Sequence, residues 1–338
     1  YAVSGLLDEN MGDTCPQSII DALPDYIADE IREAYDELYE LKKAGQLFAQ
    51  DDYIDVSRYI PVNAPVKALC LHVAHDCNLR CKYCFASTGD FGQGRKIMPP
   101  DIAKKAIDFV IARSGVRHNI EVDFFGGEPL MAWDTVTQTV DYARSLEEKY
   151  NKKFRFTITT NGLLLDEDKR KYINENMDNC VLSLDGRREV NDEFRKTVAG
   201  TGSYDTIVPK FKALVDERDP NLDYYARGTF TSHNLDFAED VLSIADAGFD
   251  RLSVEPVTAD PGCGYDLTED DLPKIEAEYD RLTDIMLERK KEGKPFTFFH
   301  FMVDLDQGPC VVKRLRGCGA GYEYVAVTPD GDIYPCHQ

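Results

Sequence analysis

The sequence predicts an α/β fold: a partial (β/α)6 barrel preceded by a small acidic helical domain and followed by a cysteine-bearing extension. Three observations predict it. From residue 67 onward, six short apolar runs alternate with six helical patterns, which implies parallel strands joined by right-handed crossovers. The runs are rich in β-branched and aromatic residues, as strands buried under helices are. Each segment whose composition suggests chemistry follows a strand, and in a parallel barrel those loops meet at the carboxyl-end face.

The amino-terminal segment comes first. Residues 1–55 carry 14 acidic and 3 basic side chains, a net of −11, half the −22 of the 338-residue chain. Ala28, Ile31, Tyr35, Leu38 and Leu41 fall at steps of three and four and predict an amphipathic helix. Lys42 and Lys43 suit its last turn and Gly45 its end. Ile19, Ile20 and Leu23 suggest a shorter helix before it. Residues 56–66, with Pro61 and Pro65, read as a linker to a barrel over 67–292 and an extension over 293–338. Strands are predicted at Ala68–Ala74, Ile120–Phe125, Phe154–Thr160, Val181–Leu184, Tyr224–Thr231 and Arg251–Pro256. Helices are predicted at Asp101–Arg113, Trp133–Lys149, Glu167–Asn176, Tyr204–Asp216, Leu235–Ala247 and Thr268–Lys291.

Composition narrows the function classes. A hydrophobic content of 43% supports a sizeable core. No apolar run approaches the roughly 20 residues that span a membrane, and no signal peptide is visible. Ten cysteines, some at Cys-x2-Cys spacing, read as metal ligands in a reducing cytoplasm, not as a disulfide framework. The charge of −22 argues against a general nucleic-acid binder. A chain that begins at Tyr1 and stops at Gln338 reads as a piece of a longer protein.

The most informative motif is His75-Asp-Cys-Asn-Leu-Arg-Cys-Lys-Tyr-Cys-Phe85, in which Cys77, Cys81 and Cys84 are spaced Cys-x3-Cys-x2-Cys. Three thiolates on one loop can hold three irons of a 4Fe–4S cluster and leave the fourth open. Clusters that only carry electrons usually take four cysteines. With His72 and His75 nearby, this segment alone leaves a structural zinc site open as well. Further strand-end segments add to it: Gly126-Gly127-Glu128-Pro129, whose glycines let backbone approach a ligand, then Thr159-Thr160-Asn161-Gly162 and Ser183-Leu184-Asp185-Gly186. Arg227, in an otherwise apolar strand, needs a partner, either a ligand carboxylate or an internal Asp or Glu. Glu255-Pro256-Val257 follows the sixth strand. Cys70 and Cys180 read as core, and Cys15 and Cys263 as ordinary.

The cysteine motif resembles that of the radical S-adenosylmethionine (radical SAM) enzymes, in which this spacing and an aromatic residue before the third cysteine, here Tyr83, form the signature. The resemblance implies a cluster on Cys77, Cys81 and Cys84 that binds S-adenosylmethionine and yields a 5′-deoxyadenosyl radical. It implies that Gly126, Gly127, Glu128 and Pro129 meet the ligand's amino group and that Arg227 meets its carboxylate. Asn161, Ser183, Asp185 and Val257 then complete the pocket. The tail, with Cys318, Gly331 and Cys336 in a Gly-rich turn and hairpin, resembles the start of a SPASM or twitch extension carrying auxiliary iron–sulfur clusters. Cys310 is a further candidate ligand, and the set is incomplete by residue 338.

From about residue 20 to the end the chain is similar to the maturases of SCIFF peptides, which install thioether cross-links in cysteine-rich ribosomal peptides. The stretches that carry this include Leu71–Cys77, Glu121–Pro129, Val181–Gly186, Tyr224–Phe230 and Phe298–Phe301. The similarity implies an N-terminal winged-helix-like domain that captures a precursor's leader peptide, commonly as an added strand. It also implies a flavodoxin- or ferredoxin-type reductant. DNA binding by such a domain is excluded by its acidity. The competing enzyme class is a formylglycine-forming dehydrogenase of the sulfatase-maturing kind. Behind it stands a small-molecule radical enzyme, and the non-enzyme alternative is a zinc-stabilised peptide-binding scaffold.

Overall fold

The computed structural model describes residues 2–49, 64–302 and 317–337 and divides the chain into two compact units, Tyr1–Pro61 and Val62–Gln338. In the first, α1 (Gln17–Asp21) precedes α2 (Ala28–Lys43). Asp29 and Glu30 in the first turn of α2 and Lys42 and Lys43 in its last suit the helix dipole. Gly45 follows at φ +70°, a conformation that costs glycine nothing. Ile31 and Tyr35 close a small core with Val3, Met11 and Ile19. The Tyr35 hydroxyl donates to the Gly12 carbonyl at 3.0 Å. The predicted stripe holds as far as Leu38. Leu41 is exposed, and its neighbour Lys42 turns inward to donate to the Met11 carbonyl. Among the described residues this unit contains no strand.

The second unit is a parallel sheet. In chain order its elements are β1 (Ala68–His75), β2 (Leu79–Cys81), β3 (Lys96–Ile97), α3 (Pro100–Arg113), β4 (Asn119–Gly126), α4 (Trp133–Tyr150) and β5 (Lys153–Thr160). There follow α5 (Glu167–Asn176), β6 (Asn179–Ser183), α6 (Arg188–Phe194), β7 (Arg195–Thr197), α7 (Tyr204–Asp216), β8 (Asp223–Phe230) and α8 (Phe237–Asp246). The last are β9 (Arg251–Pro256), α9 (Leu272–Lys291), β10 (Thr297–Phe298), β11 (Tyr324–Val327) and β12 (Ile333–Tyr334). The main sheet runs β10-β9-β8-β6-β5-β4-β1-β11-β12. All six predicted strands and all six predicted helices form, with ends shifted by a few residues. Local signals explain the boundaries: Pro100 opens α3 where its missing N–H is not needed, and the Asp166 carboxylate caps α5 by accepting from the Lys169 N–H at 2.9 Å.

Alternation along the strands separates two faces. Ile120, Val122 and Phe124 of β4 are fully buried with Phe154, Phe156 and Ile158 of β5, against Ile107, Val110, Val136 and Val140 of the covering helices. Glu121, Asp123 and Phe125 take the other face, where burial is partial. The strand carboxyl ends on that second face carry the loops that composition singled out.

Two features lie outside the sequence expectations. The segment after α9 joins the sheet at both edges: β10 pairs with β9 and β11 with β1. The predicted C-terminal hairpin is β11–β12, but its first strand extends the main sheet. A second, two-stranded sheet pairs β2 with β7. Three-residue strands of polar composition leave no periodic trace, and only tertiary pairing defines them. Among the described residues no helix is long and apolar enough to cross a membrane.

Asp123 offers a test of the partly buried face. Burial, and next the charge of Glu121, push its carboxyl up to about 6 from 3.8. Between those values the folded protein binds more protons than the unfolded chain, so stability falls as pH rises through the window. The variant Asp123→Asn should flatten that fall by about 1–3 kcal/mol between pH 4 and 6. Urea melts at the two pH values measure it, and identical slopes in both proteins would reject the assignment.

Candidate active site

The three motif cysteines gather on one wall of an open pocket at the carboxyl ends of the strands, lined by Cys77, Cys81 and Cys84 together with Gly126, Gly127 and Glu128. Their loop is held by its own backbone. The Asp76 carboxylate accepts from the Cys77 N–H at 2.8 Å. Arg80 donates to the carbonyls of Cys77 and Leu79, each at 2.6 Å. Cys81 stands opposite Arg195 in the β2–β7 ladder. The loop then folds back so closely that a Cβ on Gly89 would lie 2.5 Å from that of Cys77. The neighbouring turn is equally tight, since a Cβ on Gly127 would lie 2.1 Å from the Asp76 carbonyl oxygen.

Burial raises all three thiols. Cys77 is pushed up to about 12, with the nearby Glu128 charge adding to the effect, and Cys81 to about 11. Cys84 is raised for the same reason. Without a metal they are neutral thiols, and a metal must displace their protons to bind. Cys77 receives two N–H···S contacts, from the Leu79 backbone at 3.4 Å and from Asn161 Nδ2 at 3.6 Å. Donors of this kind tune iron–sulfur sites. Among the described residues, no three His, Cys, Asp or Glu side chains converge on one point as ligands of a single ion do. Three separate thiols around one cavity, with donors aimed at a sulfur and glycines where a Cβ would collide, fit an iron–sulfur cube that meets each thiolate at a different iron.

Glu128 does more than line the cavity. Its buried carboxylate accepts from the Leu130 N–H at 3.0 Å and the Thr160 hydroxyl at 2.7 Å through Oε1, and from the Asn161 N–H at 2.8 Å through Oε2. A carboxylate has about four acceptor positions, so one remains for a ligand ammonium. The group therefore ties the loop after β4 to the loop after β5. Asn161 continues the tie, donating to Asn78 Oδ1 at 2.8 Å within the cysteine loop.

Ser183, Arg227 and Val257 also line the pocket, as does Tyr83. The Arg227 carbonyl accepts from the Leu184 N–H at 2.9 Å, but its guanidinium makes no hydrogen bond or ion pair among the described residues and faces the pocket; the internal salt bridge left open by the sequence does not form. Two expected pocket residues sit elsewhere. Pro129 is buried in the short turn before α4, because helix entry packs its ring into the core. Asp185 lies behind Tyr83, whose hydroxyl donates to it at 2.6 Å. Arg195, absent from the sequence reading, donates to the same hydroxyl at 2.8 Å and lies 3.7 Å from Asp185. Burial opposes the Arg195 charge, but Tyr83, Cys81 and Asp185 more than offset that. Its Nε is buried without a partner, and Arg195 lines the pocket beside the cysteines. No local pattern in Phe194-Arg-Lys-Thr197 marks it; its role comes from the β2–β7 pairing.

The remaining cysteines divide as follows. Cys70 and Cys180 are buried, Cys15 is half-buried and Cys263 exposed. Cys318 is exposed in a turn and Cys336 half-buried; they do not form a ligand group among the described residues. Cys310 lies outside the described residues. A second polar chain was also missed: the His300 Nε2 is 2.9 Å from Glu255 Oε2, and the Tyr279 hydroxyl is 2.9 Å from His300 Nδ1.

The Glu128 tie is testable by itself. In Glu128→Gln, an amide NH2 replaces one acceptor oxygen and faces N–H donors. The expected cost is about 1–3 kcal/mol of stability, read from urea unfolding; an unchanged midpoint would show that the loops are held by other means.

Comparison with known proteins bears on the same region. Residues 71–225 match the model of the Radical SAM superfamily. The radical SAM cyclopropyl synthase TigE of Paramaledivibacter caminithermalis is 29% identical over 197 residues, 53% of this chain and 40% of that protein. The cysteine-type anaerobic sulfatase-maturating enzyme of Clostridium novyi is 30% identical over 143 residues, 41% of this chain and 37% of that one. The chain thus spans about two fifths of the length of these relatives. Among solved structures, native anSMEcpe with bound AdoMet and Cp18Cys peptide superposes with a TM-score of 0.64 at 22% identity, over 81% of this chain and 74% of that one, a likeness of fold. Residues 71–225, which carry the cysteine-lined pocket, are thus similar to the Radical SAM superfamily, with a radical SAM cyclopropyl synthase and a sulfatase-maturating enzyme among the relatives.

Proposed function

We propose that the protein is a peptide-modifying radical SAM enzyme that installs thioether cross-links in a cysteine-rich SCIFF-type precursor. One observation carries the radical chemistry. Three half-buried thiols share a pocket with the spare acceptor position of Glu128 and the unpaired guanidinium of Arg227. A 4Fe–4S cluster on Cys77, Cys81 and Cys84, with S-adenosylmethionine on its open iron, supplies a 5′-deoxyadenosyl radical when bound. The chain's own residues orient and shield. Glu128 accepts from the ligand's ammonium, Arg227 pairs with its carboxylate in the manner of charge-assisted hydrogen bonds, and Ser183 and Val257 complete the wall. Phe85 and Phe125 stack with centroids 6.2 Å apart and line the same cavity. They give that side of the cavity an apolar wall.

A peptide substrate is supported by the relatives: a sulfatase-maturating enzyme acts on a protein, and anSMEcpe is described with a bound peptide. The thioether and the SCIFF-type precursor rest on the sequence blocks from Leu71–Cys77 to Phe298–Phe301. In this reading residues 1–55 belong to a winged-helix-like leader-binding domain, and Cys318, Cys336 and Cys310 to a SPASM-type extension holding auxiliary clusters. A flavodoxin or ferredoxin is the reductant, and the cytoplasm is the setting. The second reading, formylglycine formation, is favoured by the sulfatase-maturase relative.

Product chemistry separates the two. After anaerobic reconstitution, the protein is mixed with S-adenosylmethionine, dithionite and a short cysteine-rich SCIFF-type peptide sought among the neighbouring genes. A thioether removes two hydrogens and blocks one thiol; formylglycine introduces an aldehyde and forms no ring. Replacing Cys77, Cys81 and Cys84 together by Ala should abolish 5′-deoxyadenosine, measured by chromatography. Persistent formation in that variant would remove the site assignment, and a colourless wild-type protein with zinc but no iron would end the enzyme reading.

A further inference from the structure

We propose that Glu255 is the proton acceptor of the reaction and that His300 and Tyr279 are the positioning residues that hold its carboxylate in the pocket wall. The inference rests on the radical reading above, but it does not depend on which of the two products forms. In thioether formation a C–H bond breaks and its hydrogen atom leaves on the adenosyl carbon. The peptide S–H loses a proton, a C–S bond closes, and one surplus electron passes to an iron–sulfur acceptor. Oxidation of a cysteine side chain towards formylglycine likewise sheds one hydrogen atom, one proton and one electron before hydrolysis. Either route needs a proton acceptor within reach of the pocket.

Glu255 sits at the carboxyl end of β9, on the same face as Arg227 of β8, and both line the pocket. Ser253 donates to Oε1, and His300 Nε2 is 2.9 Å from Oε2. Behind His300, the Tyr279 hydroxyl holds Nδ1 at 2.9 Å. Burial opposes ionisation of Glu255, but bonds from Ser253 and His300, and the Arg227 charge, hold its carboxyl below the ordinary range. It is therefore an anion. With Nε2–H donated to Oε2, the imidazole holds the carboxylate in place, and the Tyr279 hydroxyl on Nδ1 fixes the ring. The chain runs from the pocket at Glu255 to α9 at Tyr279, away from the cysteines. The other ionisable groups on this wall are Arg227, which cannot accept a proton, and His337, whose Nδ1 lies 2.8 Å from the Tyr324 hydroxyl and which, unlike Glu255, has no carboxylate or imidazole partner among the described residues.

Two measurements test the proposal. In reconstituted enzyme with the same SCIFF-type peptide, the amount of modified peptide per 5′-deoxyadenosine should fall roughly tenfold or more in Glu255→Gln. It should fall less in Tyr279→Phe, which removes one hydroxyl and little packing. In Glu255→Ala, added formate should recover part of the ratio, as a missing base allows and a misfolded site does not. An unchanged ratio in Glu255→Gln, or no recovery with formate while Tyr279→Phe behaves as wild type, would overturn the assignment. A wild type that makes no 5′-deoxyadenosine would instead count against the radical reading. The second measurement needs no cluster. With 15N-labelled histidine, six imidazoles are present. The His300 signals, assigned with His300→Gln, should shift in Glu255→Gln and again in Tyr279→Phe. Signals indifferent to both changes would show that the ring is not held by these partners.

Discussion

A single buried carboxylate holds the pocket together. Glu128 receives three hydrogen bonds from the loops that follow β4 and β5, and Asn161, fixed by that carboxylate, reaches Asn78 and the Cys77 sulfur. A buried charge without partners would be prohibitively costly; one with three donors is a rigid node. Three loops far apart in sequence are thereby locked to one geometry. The thiols that would hold a cluster and the acceptor that would meet its ligand are set by the same group.

A second buried network supports the opposite side. Tyr83, Asp185 and Arg195 form a closed set beside Cys81, with Asp185 also accepting from the Thr229 N–H. Burial pushes the Asp185 carboxyl up to about 6, against the opposing pull of Arg195 and Tyr83. An arginine beside a thiol-lined site favours a net negative occupant, as thiolate-bound clusters are. The β2–β7 ladder places that arginine, so a short strand pair with little stability of its own is part of the site's electrostatics. On the remaining wall, the Glu255–His300–Tyr279 chain joins the sheet to α9.

Much of this was legible in the linear sequence. The six strands and six helices expected between residues 68 and 291 follow from hydrophobic period and length, because strands packed under helices on one face alternate and the covering helices are amphipathic. The cysteine spacing and the Gly-Gly-Glu-Pro turn marked the site because glycines at close backbone approach and ligands on one loop are local facts. Asp185 and Pro129 were misplaced for the same reason: they adjoin pocket residues in the chain, but the pleat and the turn before α4 point them elsewhere. Arg195, Glu255 and His300 went unmarked in their roles because each acts through a partner at least 45 residues away or across a strand pair.

The sequence by itself determined the α/β class, the order of strands and helices, and the three thiols with their aromatic neighbour. Those depend on period, spacing and turn chemistry, which are properties of neighbours along the chain. Folding is what makes Glu128 a tie between loops, leaves the Arg227 guanidinium unpaired while Arg195 is paired, and brings the residues after α9 to both edges of the sheet. Those outcomes depend on which side chains share a buried volume, and burial is set by packing between segments that the chain brings together only when it folds.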